Sequence, residues 1–104
     1  MRQGWHVLAR NYRRHGFELD LIARKGETLA VVEVKARQRP PASSRFAEAL
    51  LPARKTRALA RGAATFIAEH AIEVATVRLD LAVVWPGGVA YHPGAIEIHD
   101  QEVR

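Results

Sequence analysis

Two strand-like runs, residues 17–23 and 28–36, flank the polar segment Arg24-Lys25-Gly26-Glu27, and each carries charges at alternate positions. Glu18 and Asp20 lie on the first arm, Glu33 and Lys35 on the second. Side chains of a strand alternate between faces, so each pair points to one side. Gly26 supplies the positive φ that a tight hairpin turn requires. A loop of even length centred there brings all four charged groups to one face, whereas an odd length divides them.

The apolar residues select the even register. In it Phe17, Leu19 and Leu21 share a face with Ala30, Val32 and Val34, making that side continuously hydrophobic. The odd register sets glutamate against leucine. Asp20 and Glu33 then become direct or diagonal cross-strand neighbours, with Cβ atoms about 5 to 8 Å apart, a spacing at which two carboxylates share a hard cation. A solvated hairpin face with Glu and Lys paired across strands has the same pattern. Against it, Leu29-Ala30-Val31-Val32 is apolar on both faces and reads as a doubly buried strand. Carboxylates entering such a strand need a metal, a cation or strong hydrogen-bond donors.

A chain of 104 residues is expected to form one domain, 1–104, large enough to bury a core. The absence of cysteine excludes disulfides and thiolate metal sites. Met1-Arg2-Gln3-Gly4-Trp5-His6 has no apolar core of a signal peptide, and no run approaches membrane-spanning length; a cytoplasmic protein without membrane contact is expected. The net charge of +5 is unevenly spread. Residues 1–61 hold 14 of the 16 Lys and Arg against 5 of the 11 acids, a local balance of +9, and the remainder carries −4. A basic half containing an acidic cluster suggests a polyanion-binding surface around a cation site. A generally arginine-rich composition is the alternative.

Trp5 to Arg10 reads as a first strand and Asn11 to Gly16 as a basic connection. Gln38-Arg39-Pro40-Pro41-Ala42-Ser43-Ser44-Arg45 reads as an exposed loop, either contacting substrate or simply inserted. Pro52 suits the first position of a helix running to about Glu69 or His70. Leu59, Ala63, Phe66, Ile67 and His70 form its apolar stripe, and Arg54, Arg57 and Arg61 line another face. Lys55 lies one turn before Leu59, where it either reaches over the sheet to the charged cluster or snorkels to water. Residues 75–85 form another apolar strand ended by Pro86-Gly87-Gly88, and Val89–His92 and Ala95–His99 complete the sheet. Asp80 inside that strand is expected to pair structurally with a nearby arginine. His6, His15, His70, His92 and His99 have no zinc-ligand spacing.

Gly16-Phe17-Glu18-Leu19-Asp20-Leu21-Ile22-Ala23, followed by Leu29 through Val34-Lys35-Ala36-Arg37, resembles the central motif of the YraN-like family. That family belongs to the PD-D/E-x-K nuclease superfamily and is related to archaeal Holliday-junction resolvases. Gly4-Trp5-x-Val7-Leu8-x-Arg10-Asn11-Tyr12-Arg13 resembles the segment before the motif, Pro52-x-x-Lys55 with Leu59 the start of the long helix, and Arg78-Leu79-Asp80-Leu81 the next strand. The resemblance implies an α/β fold with a restriction-endonuclease-like core: a mixed central sheet, a β-hairpin active site and one long helix packed on it. It implies that Asp20 and Glu33, with the Val34 carbonyl, bind Mg²⁺ or Mn²⁺, that Lys35 orients or helps deprotonate the attacking water, and that Glu18 serves in a supporting or second-metal role. Arg37, Arg39, Arg54, Lys55, Arg57 and Arg61 are the expected nucleic-acid contacts. Members usually begin with an amphipathic, glutamate-bearing helix before the Gly-Trp segment; here the chain starts at that segment, and a domain without the helix is expected. Thr56 also stands where the family commonly has glutamine.

Three functions follow as expectations. The first is a metal-dependent nuclease hydrolysing DNA, and the second a module of the same fold that binds nucleic acid without cutting it. The third is an interaction protein whose sheet face is covered by another chain or by a second copy in a homodimer.

Overall fold

The doubly apolar run Leu29–Val32 lies within the central strand of a five-stranded sheet. A computed structural model describes residues 4–14, 16–42 and 51–98. Ser43, Ser44 and Arg45 of the expected loop, together with His15 and His99, lie outside them. The elements are β1 (His6–Arg14), β2 (Phe17–Lys25), β3 (Thr28–Ala36), α1 (Ala53–His70), β4 (Thr76–Trp85) and β5 (Gly88–Ile98). Strand order follows the chain; only β3 and β4 pair in parallel, because the helix carries the chain back between them. The result is a mixed α/β fold with one helix packed on the sheet. Among the described residues no helix is long and apolar enough to cross a membrane.

The β2–β3 hairpin adopts the even register. Lys25 faces Thr28 across a two-residue loop, Gly26-Glu27, with Gly26 at φ +58°, and the ladder runs to Leu21 opposite Val32. The turn is tied to its surroundings: the Glu27 carbonyl accepts the amides of Ala75 and Thr76, at 2.8 and 3.1 Å, where β4 begins.

Two expectations are corrected. β1 continues through Asn11 to Arg14 instead of giving way to a connection after Arg10. Ala9 packs against the core and Tyr12 belongs to it, three residues apart, which strict alternation forbids. Asn11 resolves the conflict with φ +51°, a left-handed conformation that asparagine tolerates better than most residues. The second correction concerns Leu19. It is fully buried in the cluster containing Ile22, Leu29, Val31, Leu59 and Phe66, so it turns to the helix and does not stay beside Leu21 and Val34. The segments 89–92 and 95–98 also join in the one strand β5, with a register shift at Leu79–Leu81.

The helix begins one residue later than expected, with Pro52 as its cap, and ends at Ala71 in the left-handed conformation. Leu59, Gly62, Ala63 and Phe66 are its buried residues. Burying a leucine or phenylalanine stabilises by about 1.5 to 3 kcal/mol, and Gly62 lets these side chains reach the sheet. A Cβ there would stand 2.9 Å from Leu19 Cδ2 and 3.0 Å from Phe17 Cδ2. At the far end, Tyr12 Oη donates to Glu69 and its ring meets Phe66 edge-on at 5.2 Å. Arg14 reaches Glu69 at 3.0 Å and lies over the Tyr12 ring.

On the other side of the sheet Asp80 is fully buried and held by four donors. Arg78 supplies Nε at 2.8 Å and Nη2 at 2.9 Å, the Gly94 amide donates at 2.7 Å, and Tyr91 Oη completes the set. Arg78 is the arginine partner expected from the sequence. Val34, Val84, Val89 and Tyr91 on this side are exposed.

Gly62→Ala is expected to destabilise. Alanine gains about 1 kcal/mol in helix propensity, but overpacking costs about 1 to 3 kcal/mol, and fully buried Leu19 has no room to retreat. Urea unfolding should show a net loss of about 1 kcal/mol; an unchanged midpoint would mean that the helix can lift.

The Tyr12 hydroxyl generates a second expectation. Burial, reinforced by its hydrogen bond to Glu69 and opposed by Arg14, pushes its pKa from 10.0 up to about 12. The folded state therefore keeps a proton that the unfolded chain releases above pH 10. This stabilisation is fully present below pH 10 and is lost as pH rises through about 12. The difference in melting temperature between wild type and Tyr12→Phe should shift against the wild type across that window.

Candidate functional site

The β2–β3 ladder stops at Leu21 opposite Val32; beyond it, the Asp20 side chain accepts a bond where a regular ladder would use backbone. The Val34 amide donates to Asp20 Oδ2 at 2.8 Å. This bond fixes the aspartate between the strands, at the level where Asn11 bends β1. Glu33, only 4% exposed, lies against Asp20 and faces the helix. Lys55 completes the group, with Nζ 2.9 Å from Glu33 Oε2.

Chain topology explains the meeting. A β3–α1–β4 crossover starts its helix above the carboxyl end of β3, where open α/β sheets gather their functional groups. Glu33 lies near that end, and Lys55 is in the first turn of the helix. Of the two courses open to Lys55 from sequence, it takes the reach to the charged cluster.

Glu33 is incompletely satisfied. Its Oε2 atom is buried and, apart from the ion pair with the Lys55 ammonium, makes no hydrogen bond among the described residues. Burial, followed by the contact with Asp20, raises the Glu33 pKa, and Lys55 opposes the rise. A buried, under-coordinated carboxylate oxygen beside a second carboxylate suits a hard divalent cation. Among the described residues no cluster of three or more His, Cys, Asp or Glu exists. Magnesium is commonly held by one or two carboxylates with water and phosphate, so this pair meets that minimum.

The other expected site residues are placed differently. Glu18 does not join the pair; it bonds Arg13 on β1 at 3.2 Å. The turn of Leu19 toward the helix breaks the alternation that would have kept Glu18 with Asp20. Lys35 lies one strand repeat beyond Glu33, on the same face, partly exposed and without an ion pair among the described residues. Arg37 and Arg39 follow at the exposed end of β3. Arg54, Arg57 and Arg61 are exposed on the helix, with no ion pair among the described residues. The Val34 amide and Asn11 were missed as site-forming groups. The apolar pair Ala9 and Tyr12, out of phase around an asparagine, was the available signal for the bend.

An open cavity of about 670 Å³, lined partly by Trp5, Lys25, Thr28, Arg78 and Tyr91, lies elsewhere. By strand register Arg78 is on the face opposite Glu33, and its guanidinium is already committed to Asp80. The paired carboxylates are therefore the better candidate for chemistry.

The fold and site define a mixed α/β protein with a two-carboxylate cluster at the mouth of a β-hairpin, under the start of a basic helix. Residues 1–84 match the model of the family described as "Uncharacterised protein family UPF0102", and the chain belongs to that family. It is 40% identical over 90 residues to a UPF0102 protein of Methylocella silvestris, covering 86% of this chain and 69% of that one. A UPF0102 protein of Methylorubrum extorquens is 40% identical over 100 residues, 94% of this chain and 75% of its own. One from Gloeobacter violaceus is 45% identical over 102 residues, 91% and 80% respectively.

Substitution of Glu33 tests the electrostatics of the pair. A carboxyl whose folded pKa is raised contributes stability that is fully present below its unfolded pKa and is lost as pH rises through the folded value. Glu33→Gln escapes that loss, and Lys55, 38% exposed, can turn to water. In metal-free buffer the variant should gain on the wild type as pH rises above the ordinary glutamate range toward neutrality. A less stable variant at pH 7 would mean that the Lys55 pair outweighs the burial of Glu33.

Proposed function

We propose that this protein is a metal-dependent nuclease of the PD-D/E-x-K type, with a restriction-endonuclease-like core, that hydrolyses phosphodiester bonds in DNA. The observation that carries the reading is the Asp20–Glu33 pair, with one buried carboxylate oxygen left without a hydrogen bond at the end of the motif hairpin. In this reading Asp20 and Glu33 hold Mg²⁺ or Mn²⁺, assisted by the Val34 carbonyl. The Val34 amide fixes the rotamer of Asp20 beforehand, reducing the reorganisation needed on binding. The bound cation supplies Lewis acidity toward the phosphate and lowers the pKa of a coordinated water. Lys35 orients the water and places positive charge where negative charge develops. Glu18, engaged by Arg13, has no direct part.

The basic residues give the site its substrate class. Arg37 and Arg39 lie beyond Lys35, and Arg54, Lys55, Arg57 and Arg61 extend along the helix. Two of these cations, Arg54 and Lys55, occupy the first turn, which contains no acid. The helix dipole disfavours cations there by about 0.3 to 1 kcal/mol each. Such placement costs stability and gains attraction for a polyanion.

A second reading has support of its own. Only two carboxylates gather among the described residues, and the exposed helix arginines suffice to hold a phosphate backbone. In this reading the protein binds nucleic acid without hydrolysing it.

The purified protein should cleave at least one of supercoiled, branched or single-stranded DNA with Mg²⁺ or Mn²⁺. Asp20→Ala and Lys35→Ala should each reduce the rate by about 100-fold or more. No cleavage of any DNA with either metal would remove the catalytic reading. Metal-independent binding that weakens with salt, by a logarithmic slope of about 0.9 per phosphate contacted, and that Arg57→Ala reduces, would favour the second.

A further inference from the structure

We propose that Lys55 is the built-in counter-ion of the Asp20–Glu33 pair, occupying the place of a divalent cation and withdrawing from it when one binds. The inference rests on the reading of Asp20 and Glu33 as a metal site. Its own evidence is the position and accessibility of the lysine. The ammonium is 2.9 Å from Glu33 Oε2, the same buried oxygen that otherwise lacks a hydrogen bond. Asp20, the other acid of the pair, is already turned into place by the Val34 amide.

An ammonium and a divalent cation cannot both contact one buried oxygen without strong repulsion. Lys55 can yield because its side chain is 38% exposed, whereas the buried side chain of Glu33 has nowhere to go. Its backbone stays fixed in the first turn of α1 while the flexible four-carbon stem swings outward. The outward direction leads to the surface of Arg54 and Arg57, where a phosphate backbone would accept the released charge. Lys55 therefore weakens cation binding in the free protein. It also couples the two ligands: nucleic acid that engages Lys55 clears the carboxylates, and by reciprocity the cation strengthens the grip on nucleic acid. Lys55 acts here as a positioning residue, through Glu33.

Calorimetric titration with Mn²⁺ of the whole protein, Lys55→Met and Asp20→Asn tests the proposal, with circular dichroism confirming that each is folded. Lys55→Met should bind Mn²⁺ about tenfold more tightly than wild type, within the ordinary range of coupling, and Asp20→Asn should lose binding. If wild type shows binding that Asp20→Asn abolishes, while Lys55→Met binds equally or more weakly, the counter-ion role is overturned and the metal site stands. If neither wild type nor Lys55→Met shows Asp20-dependent binding, both readings fall. A measurement on the unaltered sequence guards against misfolding of the variant. In ¹³C-lysine-labelled wild type, the Lys55 Cε resonance should shift on Mg²⁺ addition with the midpoint of metal binding; an unmoved resonance at saturation overturns the proposal.

Discussion

The close approach of α1 to β2 at Gly62 sets the height of the helix above the sheet, and the candidate site depends on that height. Leu19 and Phe17 fill the space that a side chain at Gly62 would need. Seven residues separate Gly62 from Lys55, about 10.5 Å along a helix axis at 1.5 Å per residue. That distance places the lysine near the carboxyl end of β3. A helix lifted to accommodate a larger residue would carry Lys55 away from Glu33 and admit water to the carboxylates. Tyr12, Arg14 and Glu69 fasten the opposite end of the helix to β1. The helix is thus anchored at one end, pressed close in the middle and, among the described residues, tied at the other end by the Lys55–Glu33 ion pair.

Buried carboxylates occur on both faces of the sheet, and their surroundings differ in a way that separates support from chemistry. Asp80 is enclosed by Arg78, Tyr91 and the Gly94 amide, a set that satisfies both oxygens. Little remains for it to bind. Tyr91 is held protonated there, by burial first and by its bond to Asp80 second. Glu33 has almost the same accessibility but only one partly exposed ammonium at its Oε2; burial raises its pKa, and Lys55 opposes the rise. A fully satisfied buried charge stiffens a fold. An under-satisfied one remains receptive to a ligand that can complete its coordination.

Much of this arrangement was legible in the sequence because it follows from parity. The alternation of Phe17, Leu19 and Leu21 with Ala30, Val32 and Val34 pointed to the even register, which is the one found, although Leu19 itself turns to the helix. The helix limits followed from Pro52 and the apolar stripe, to within one residue at its start. The acid–arginine pairing of Asp80 followed from the cost of burying an unpaired charge. Alternation fails where the chain bends. Asn11 in the left-handed conformation and the turn of Leu19 to the helix shift both strands out of phase. Glu18 consequently leaves the cluster for Arg13. Counting by twos could not reveal this, because the cause lies in packing against Gly62 and Phe66, many residues away. The contact of Lys55 with Glu33 was open for the same reason: residue spacing gives the direction of a side chain but not the height of its helix.

The bend also explains why the acidic pair forms at this position in the hairpin. Had the ladder continued past Leu21, the backbone amide and carbonyl of Val34 would pair with those of Leu19, its partner in this register, and leave the aspartate side chain free to rotate. Instead the strands part, and the Val34 amide takes the Asp20 carboxylate as its acceptor. A charge-assisted bond of this kind is stronger than the neutral ladder bond it replaces, so the break in the sheet is partly offset by the interaction that fixes the site. Irregular backbone, buried glutamate and basic helix start are therefore linked features. The bend orients Asp20, burial holds Glu33 beside it, and the helix delivers a movable positive charge to both.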